Sequence, residues 1–167
     1  LYIPGWPSQA FDRFIEAEIN GIKSVGTKTN QFTNIFIAIT KKCPLQCEHC
    51  FEWENLNHKE KLALDDIKSI VHTFQKKGTG QIQISGGEPL LRIHDIVDVL
   101  NSSKKETDFW VLTSGFKLTP ENARKLKKAG LTGVFISLDH YEPELHNLFR
   151  GFANSFDWVK QAVTNAK

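Results

Sequence analysis

From residue 34 onward two hydrophobic rhythms alternate along the chain. Short apolar runs rich in Ile, Val and Phe fall at 34–40, 81–85, 108–113 and 133–138. Short runs of this composition predict strands buried on both faces. Between them the period changes. Ile67, Ile70, Val71 and Phe74 recur at helical spacing, with Gly78 as a stop. A shorter helix is predicted over 95–102. A third opens on Thr119 as cap and Pro120 in the first turn, and ends at Gly130. The last begins near Ser155, with Trp158, Val159, Ala162, Val163 and Ala166 on one face. Strand, helix, strand, helix in this order predicts βαβ crossovers and a parallel sheet, an α/β fold.

Before this lies a stretch, residues 1–33, in which Phe11, Phe14, Ile15 and Ile19 mark an amphipathic helix. It reads as an N-terminal helical extension packed on the outside of a core spanning 34–167. At 167 residues the chain is long enough for one domain with a sizeable core. A net charge of +2 gives no footprint for a nucleic-acid or anionic-membrane partner. No apolar run approaches the roughly 20 residues of a membrane span. No methionine occurs, not even at position 1, so the chain reads as other than a complete translation product.

Composition becomes informative at cysteine. All three cysteines, Cys43, Cys47 and Cys50, stand in one C-x3-C-x2-C array just after the first predicted strand. The odd number and the crowding argue against a disulfide framework, and free clustered thiols point to a reducing, cytoplasmic setting. Two readings remain open on spacing alone. One is a zinc site completed by His49, His58 or a distant residue. The other is a [4Fe–4S] cluster with one iron left free of protein ligands.

Parallel α/β sheets place their sites at the carboxyl ends of the strands. Those ends carry the cysteine loop, Ser85-Gly86-Gly87-Glu88-Pro89, Thr113-Ser114-Gly115 and Ser137-Leu138-Asp139. Gly86 and Gly87 serve either a plain turn or the close approach of a ligand, and Glu88 offers a carboxylate to an ammonium group. Ser137 and Asp139 suit capping as well as binding. Arg150 is either a solvated charge or a bidentate partner for a carboxylate. His58, His72, His94, His140 and His146 show no ligand spacing and are read as non-functional, and Lys41 and Lys42 as solvated.

The cysteine array with His49 before its last cysteine, followed by the strand-end Gly-Gly-Glu-Pro, resembles the radical S-adenosylmethionine enzyme superfamily. The likeness continues through Leu112-Thr113-Ser114-Gly115, Ile136-Ser137-Leu138-Asp139 and Phe149-Arg150-Gly151, and covers roughly residues 34–167. Its wording is most similar to the branch of peptide-modifying and cofactor-maturing members. The resemblance implies a partial TIM-type barrel, a (β/α)6 core of which four units are countable here. The chain is accordingly expected to be an excerpt, with the sheet edge after the fourth strand uncovered and no auxiliary-cluster cysteines.

The resemblance also implies roles. Cys43, Cys47 and Cys50 would hold the [4Fe–4S] cluster, and Gly86, Gly87 and Glu88 the methionyl ammonium of S-adenosylmethionine. Ser137 and Asp139 would face the ribose, Arg150 the carboxylate, and His49 and Phe51 the adenine. Ser114 stands where many members have asparagine. The implied activity is reductive cleavage of S-adenosylmethionine to a 5′-deoxyadenosyl radical that abstracts hydrogen from an unidentified substrate, a peptide or a small molecule. An electron donor such as flavodoxin or ferredoxin would be the partner. Two other functions compete: a non-catalytic zinc- or cluster-binding protein, and an iron–sulfur redox carrier or sensor. Glu88 and Arg150 favour the enzyme, since neither alternative needs paired groups for an amino-acid zwitterion.

Overall fold

A computed structural model describes residues 3–22 and 32–167. Four parallel strands, β1 (Asn34–Ala38), β2 (Gln81–Ser85), β3 (Asp108–Thr113) and β4 (Gly133–Ile136), lie side by side in chain order. Parallel neighbours need a crossover. The crossovers carry α2 (Leu64–Lys76), a 3-10 turn (Pro89–Arg92) continued by α3 (Ile93–Ser102), and α4 (Pro120–Ala129). After β4 come α5 (Pro143–Arg150) and α6 (Ser155–Asn165); α1 (Gln9–Ile22) precedes the sheet. The result is an α/β fold, a partial (β/α) barrel.

The register sorts the side chains into two faces. Ile35 pairs with Ile82, Ile82 with Phe109, and Val111 with Val134. This face meets the helices. Ile37, Ile82, Ile84, Phe109 and Val111 join Ile67, Val71, Ile96, Val99 and Leu126 in one buried core. The apolar period read from the sequence is therefore the helix-facing set.

The other face corrects an expectation. The strands are not all buried on both sides: Phe36 is 56% exposed and every residue of β4 is half-buried. Burial on this side is uneven: Gln83 is fully buried, and Trp110 and Phe135 stack at 4.8 Å. Gly133 makes room for that indole, since a Cβ there would stand 2.5 Å from the Trp110 ring. β1 and β4 form the two edges of the sheet.

Local signals set the helix ends. Thr119 Oγ1 accepts from the Asn122 N–H at 3.2 Å, and Gly130 closes α4 in the left-handed region at φ 102°. β1 and β4 stop two residues short of the predicted ends, because Thr40 and Leu138 already belong to the loops of the rim. α3 starts at Ile93, slightly before the predicted Asp95. α1 meets the sheet at the end opposite the rim. Arg13 forms an ion pair with Asp108 at the start of β3, and Ala17 packs where a Cβ on Gly80 would stand. Residues 23–31 of the expected extension lie outside the described ones.

Ile82→Ala should cost about 2–5 kcal/mol by opening a cavity in the helix-facing core. Phe36→Ala, at an exposed position on the other face, should cost well under half of that, and denaturant melts of the two variants check the difference.

Candidate functional site

The ladder between β1 and β2 runs on past the strand ends. Ile39 N–H donates to Ser85 O at 2.9 Å, Gly87 N–H to Thr40 O at 2.8 Å, and Glu88 N–H to Lys42 O at 2.7 Å. The Gly-Gly turn therefore grips the chain just before Cys43. A Cβ at Gly86 would stand 2.4 Å from Thr40 O, and one at Gly87 2.4 Å from Lys42 O. Gly86 also has φ 137°. The close approach suspected from the sequence is made by this chain's own backbone.

A second grip comes from α5, a helix not separated out from the sequence. Its last carbonyls lack partners within the helix, and the cysteine loop supplies them. Gln46 N–H donates to Arg150 O at 3.1 Å, and Glu48 N–H to Phe149 O at 3.0 Å. Gly151, at φ 64°, ends the helix and lies so close to Gln46 that a Cβ would meet its carbonyl at 2.7 Å. His49 stacks on Phe149, with centroids 4.8 Å apart and planes 17° from parallel. The third grip is Asn57. Its side-chain amide accepts from Cys43 N–H and donates to Cys43 O, both at 3.1 Å. Nothing in the sequence singled out Asn57, and Phe149 stood only as a neighbour of Arg150 in the motif likeness; an asparagine after the cysteines was the faint available signal.

Arg150 returns to the rim, as expected, but to particular partners. It is 8% exposed, forms an ion pair with Asp139, and donates from Nη1 to Cys47 Sγ at 3.5 Å. His146, read from the sequence as non-functional, is 1% exposed, and its Nδ1 accepts from the Asp139 N–H at 3.3 Å. Burial and the nearby Arg150 guanidinium lower its pKa, against a smaller opposing pull from Asp139. The proton-accepting Nδ1 fits a neutral ring.

Glu88 is fully buried. Oε1 accepts from Leu90 N–H at 3.0 Å and Thr113 Oγ1 at 2.8 Å; Oε2 accepts from Ser114 N–H at 2.9 Å and Ser114 Oγ at 2.5 Å. The carboxylate thus ties β2 to β3 beneath the Gly-Gly turn. Ser114 supplies two of its donors. Ser137 continues the β3–β4 ladder through its N–H to Thr113 O at 3.0 Å. Phe51 stands 88% exposed beyond the last cysteine. A cavity of about 290 Å³ opens beside the loop, lined by Thr40, Phe51, Leu56, Glu60, Gly86 and Gly87. That is near the lower end for small-molecule sites.

Comparisons with known proteins give the family. The family model for the radical SAM superfamily matches residues 37–167. The chain belongs to the radical S-adenosylmethionine superfamily. Among its curated relatives is a protein named probable GTP 3′,8-cyclase from Methanocaldococcus jannaschii, 39% identical over 140 residues, covering 80% of this chain and 46% of that one. A second of the same name, from Archaeoglobus fulgidus, is 34% identical over 119 residues, covering 71% and 40%. The GTP 3′,8-cyclase of Alkaliphilus oremlandii is 36% identical over 113 residues, covering 65% and 35%. The chain spans less than half the length of these relatives.

The superfamily uses a [4Fe–4S] cluster and S-adenosylmethionine, and the donor set here fits that cluster. Three half-buried free thiols share one loop. Among the described residues no three His, Cys, Asp or Glu side chains gather around one point as ligands of a single ion would. Burial pushes the Cys43 thiol up to about 11, with Glu88 and the other two cysteines adding to it against a backbone hydrogen bond from Leu45. Iron would supply the positive charge that this thiol needs to ionise.

Gly87→Ala should displace the cysteine loop at a cost of about 1–3 kcal/mol from overpacking. Iron content after anaerobic reconstitution should fall sharply while circular dichroism stays native. Glu88 gives a pH test. Burial raises its pKa above the ordinary 4.5, outweighing the opposing hydrogen bonds from Ser114, Leu90 and Thr113. The unfolded chain therefore releases this proton first, so the stability Glu88 contributes is complete below about pH 4.5 and declines as pH rises through the raised value. Glu88→Gln stays neutral, so parent stability should fall relative to this variant over that window. Denaturation midpoints taken across the pH range measure the gap.

Proposed function

We propose that this chain is catalytic, carrying the cluster and S-adenosylmethionine site of a radical enzyme that abstracts hydrogen from its substrate. The observation that carries the reading is the cysteine loop gripped on both sides at the rim, with Arg150 and the Gly-Gly turn flanking it. When bound and reduced, the cluster supplies the electron that cleaves the sulfonium–C5′ bond and yields the 5′-deoxyadenosyl radical.

The chain's own residues bind and exclude. Cys43, Cys47 and Cys50 would hold the cluster. Gly86, Gly87 and Glu88 hold the methionyl ammonium, the Glu88 charge acting from beneath the turn. Arg150, steadied by Asp139, faces the carboxylate. Asp139 and Ser137 border the ribose, while His49, fixed by its stack on Phe149, and Phe51 line the adenine side. Ser114 acts through Glu88, which it orients with two hydrogen bonds. A flavodoxin- or ferredoxin-type protein would deliver the electron.

Of the peptide and small-molecule substrates that the sequence left open, similarity to proteins whose names specify GTP supports a purine nucleotide. GTP is therefore the first substrate to test.

The test is anaerobic reconstitution, reduction and measurement of 5′-deoxyadenosine with S-adenosylmethionine present. The expected result is product formation that rises with GTP and disappears in Cys43→Ala, Cys47→Ala and Cys50→Ala, since the chain has no other cysteine to replace a lost ligand. Tightly bound zinc with no reconstitutable iron would sink the reading. An intact cluster that never yields 5′-deoxyadenosine would point instead to a redox carrier.

A further inference from the structure

We infer that Arg150 tunes the cluster itself, raising its reduction potential through a hydrogen bond to the Cys47 sulfur, in addition to any contact with S-adenosylmethionine. The inference rests on the cluster reading above and on three observations. The guanidinium Nη1 stands 3.5 Å from Cys47 Sγ, in donor geometry. The ion pair with Asp139 and the depth of the side chain hold it there. Asp139 is in turn fixed by its N–H donating to His146 Nδ1 at 3.3 Å.

The electrostatics call for such a donor. The carbonyl end of α5 abuts the cysteine loop through Phe149 O and Arg150 O. A helix carries partial negative charge at that end. Placed beside three thiolates, it would oppose adding an electron. An N–H donated to a ligand sulfur withdraws electron density from it and favours the more reduced, more negative cluster. Asp139 offsets much of the arginine's net charge, so what reaches Cys47 is chiefly the directed hydrogen bond. The planar fork matters because its Nε edge lies against Asp139 in the ion pair while Nη1 donates to Cys47. An ammonium cannot span both partners in that fixed plane.

The experiment is a redox titration of the reconstituted chain without S-adenosylmethionine, following the electron paramagnetic resonance signal of the reduced cluster. Parent, Arg150→Met and Arg150→Lys are compared at equal iron content. The midpoint should shift to more negative potential in Arg150→Met, and Arg150→Lys should recover only part of the shift. S-adenosylmethionine affinity is measured separately by calorimetry. Weakened affinity with an unchanged midpoint would overturn the inference and leave Arg150 to the cofactor alone. Failure of both variants to hold a cluster that the parent holds would also overturn it, assigning Arg150 to clamping the loop. If the parent holds no cluster, the proposed function falls together with this inference.

Discussion

Everything chemical in this protein depends on holding a short cysteine loop against two backbone surfaces. Such a loop has little apolar area and no regular structure of its own, so it cannot supply the free energy of its own ordering. The fold supplies it from outside. The extended β1–β2 ladder fixes the approach to Cys43, and the free carbonyls of α5 fix the segment around Cys47. Asn57 adds a side-chain amide that imitates a neighbouring strand for Cys43. In each case a backbone group that would otherwise lack a partner finds one in the loop.

Glycine is what lets these surfaces meet. At Gly86, Gly87 and Gly151 a methyl group would fall within 2.7 Å of a carbonyl oxygen. Beneath the turn Glu88 locks β2 to the end of β3 with three of its four accepted hydrogen bonds, so the rim is rigid where it meets the loop. Rigidity of this kind suits a site that must exclude water and side reactions. The same economy appears at Asp139, which positions Arg150 while its own backbone is held by His146.

The elements that hold the site and those that hold the fold are largely separate. The core lies between the sheet and α2, α3 and α4, whereas the loop is gripped by strand ends and by α5. Gly115 links the two regions: at φ 91°, it lets the turn after β3 pass within 2.8 Å of Trp158 O on α6, measured to a would-be Cβ. α6 in turn buries Val159 and Ala162. Changes at the rim should therefore alter loading and chemistry before they alter folding.

The sequence by itself determined the alternation of strands and helices, much of the helix-facing core and the α4 caps. These follow from local chemistry: apolar period, Thr119 as acceptor, and Gly130 in a left-handed position. It also marked the three cysteines, because their crowding has few other uses. Tertiary structure decided what the neighbouring residues touch. Glu88 reads in sequence as a free carboxylate, yet the fold seals it under four donors from segments up to 26 positions away. Arg150 meets Cys47 across 103 positions, and His146 gains a role only because α5 brings it beside Asp139. Phe36 sits in an apolar run but remains exposed, since the run cannot say which face a second layer covers. Periodicity records which side chains avoid water; which partners they find depends on loops and helix ends, and no spacing along the chain encodes that.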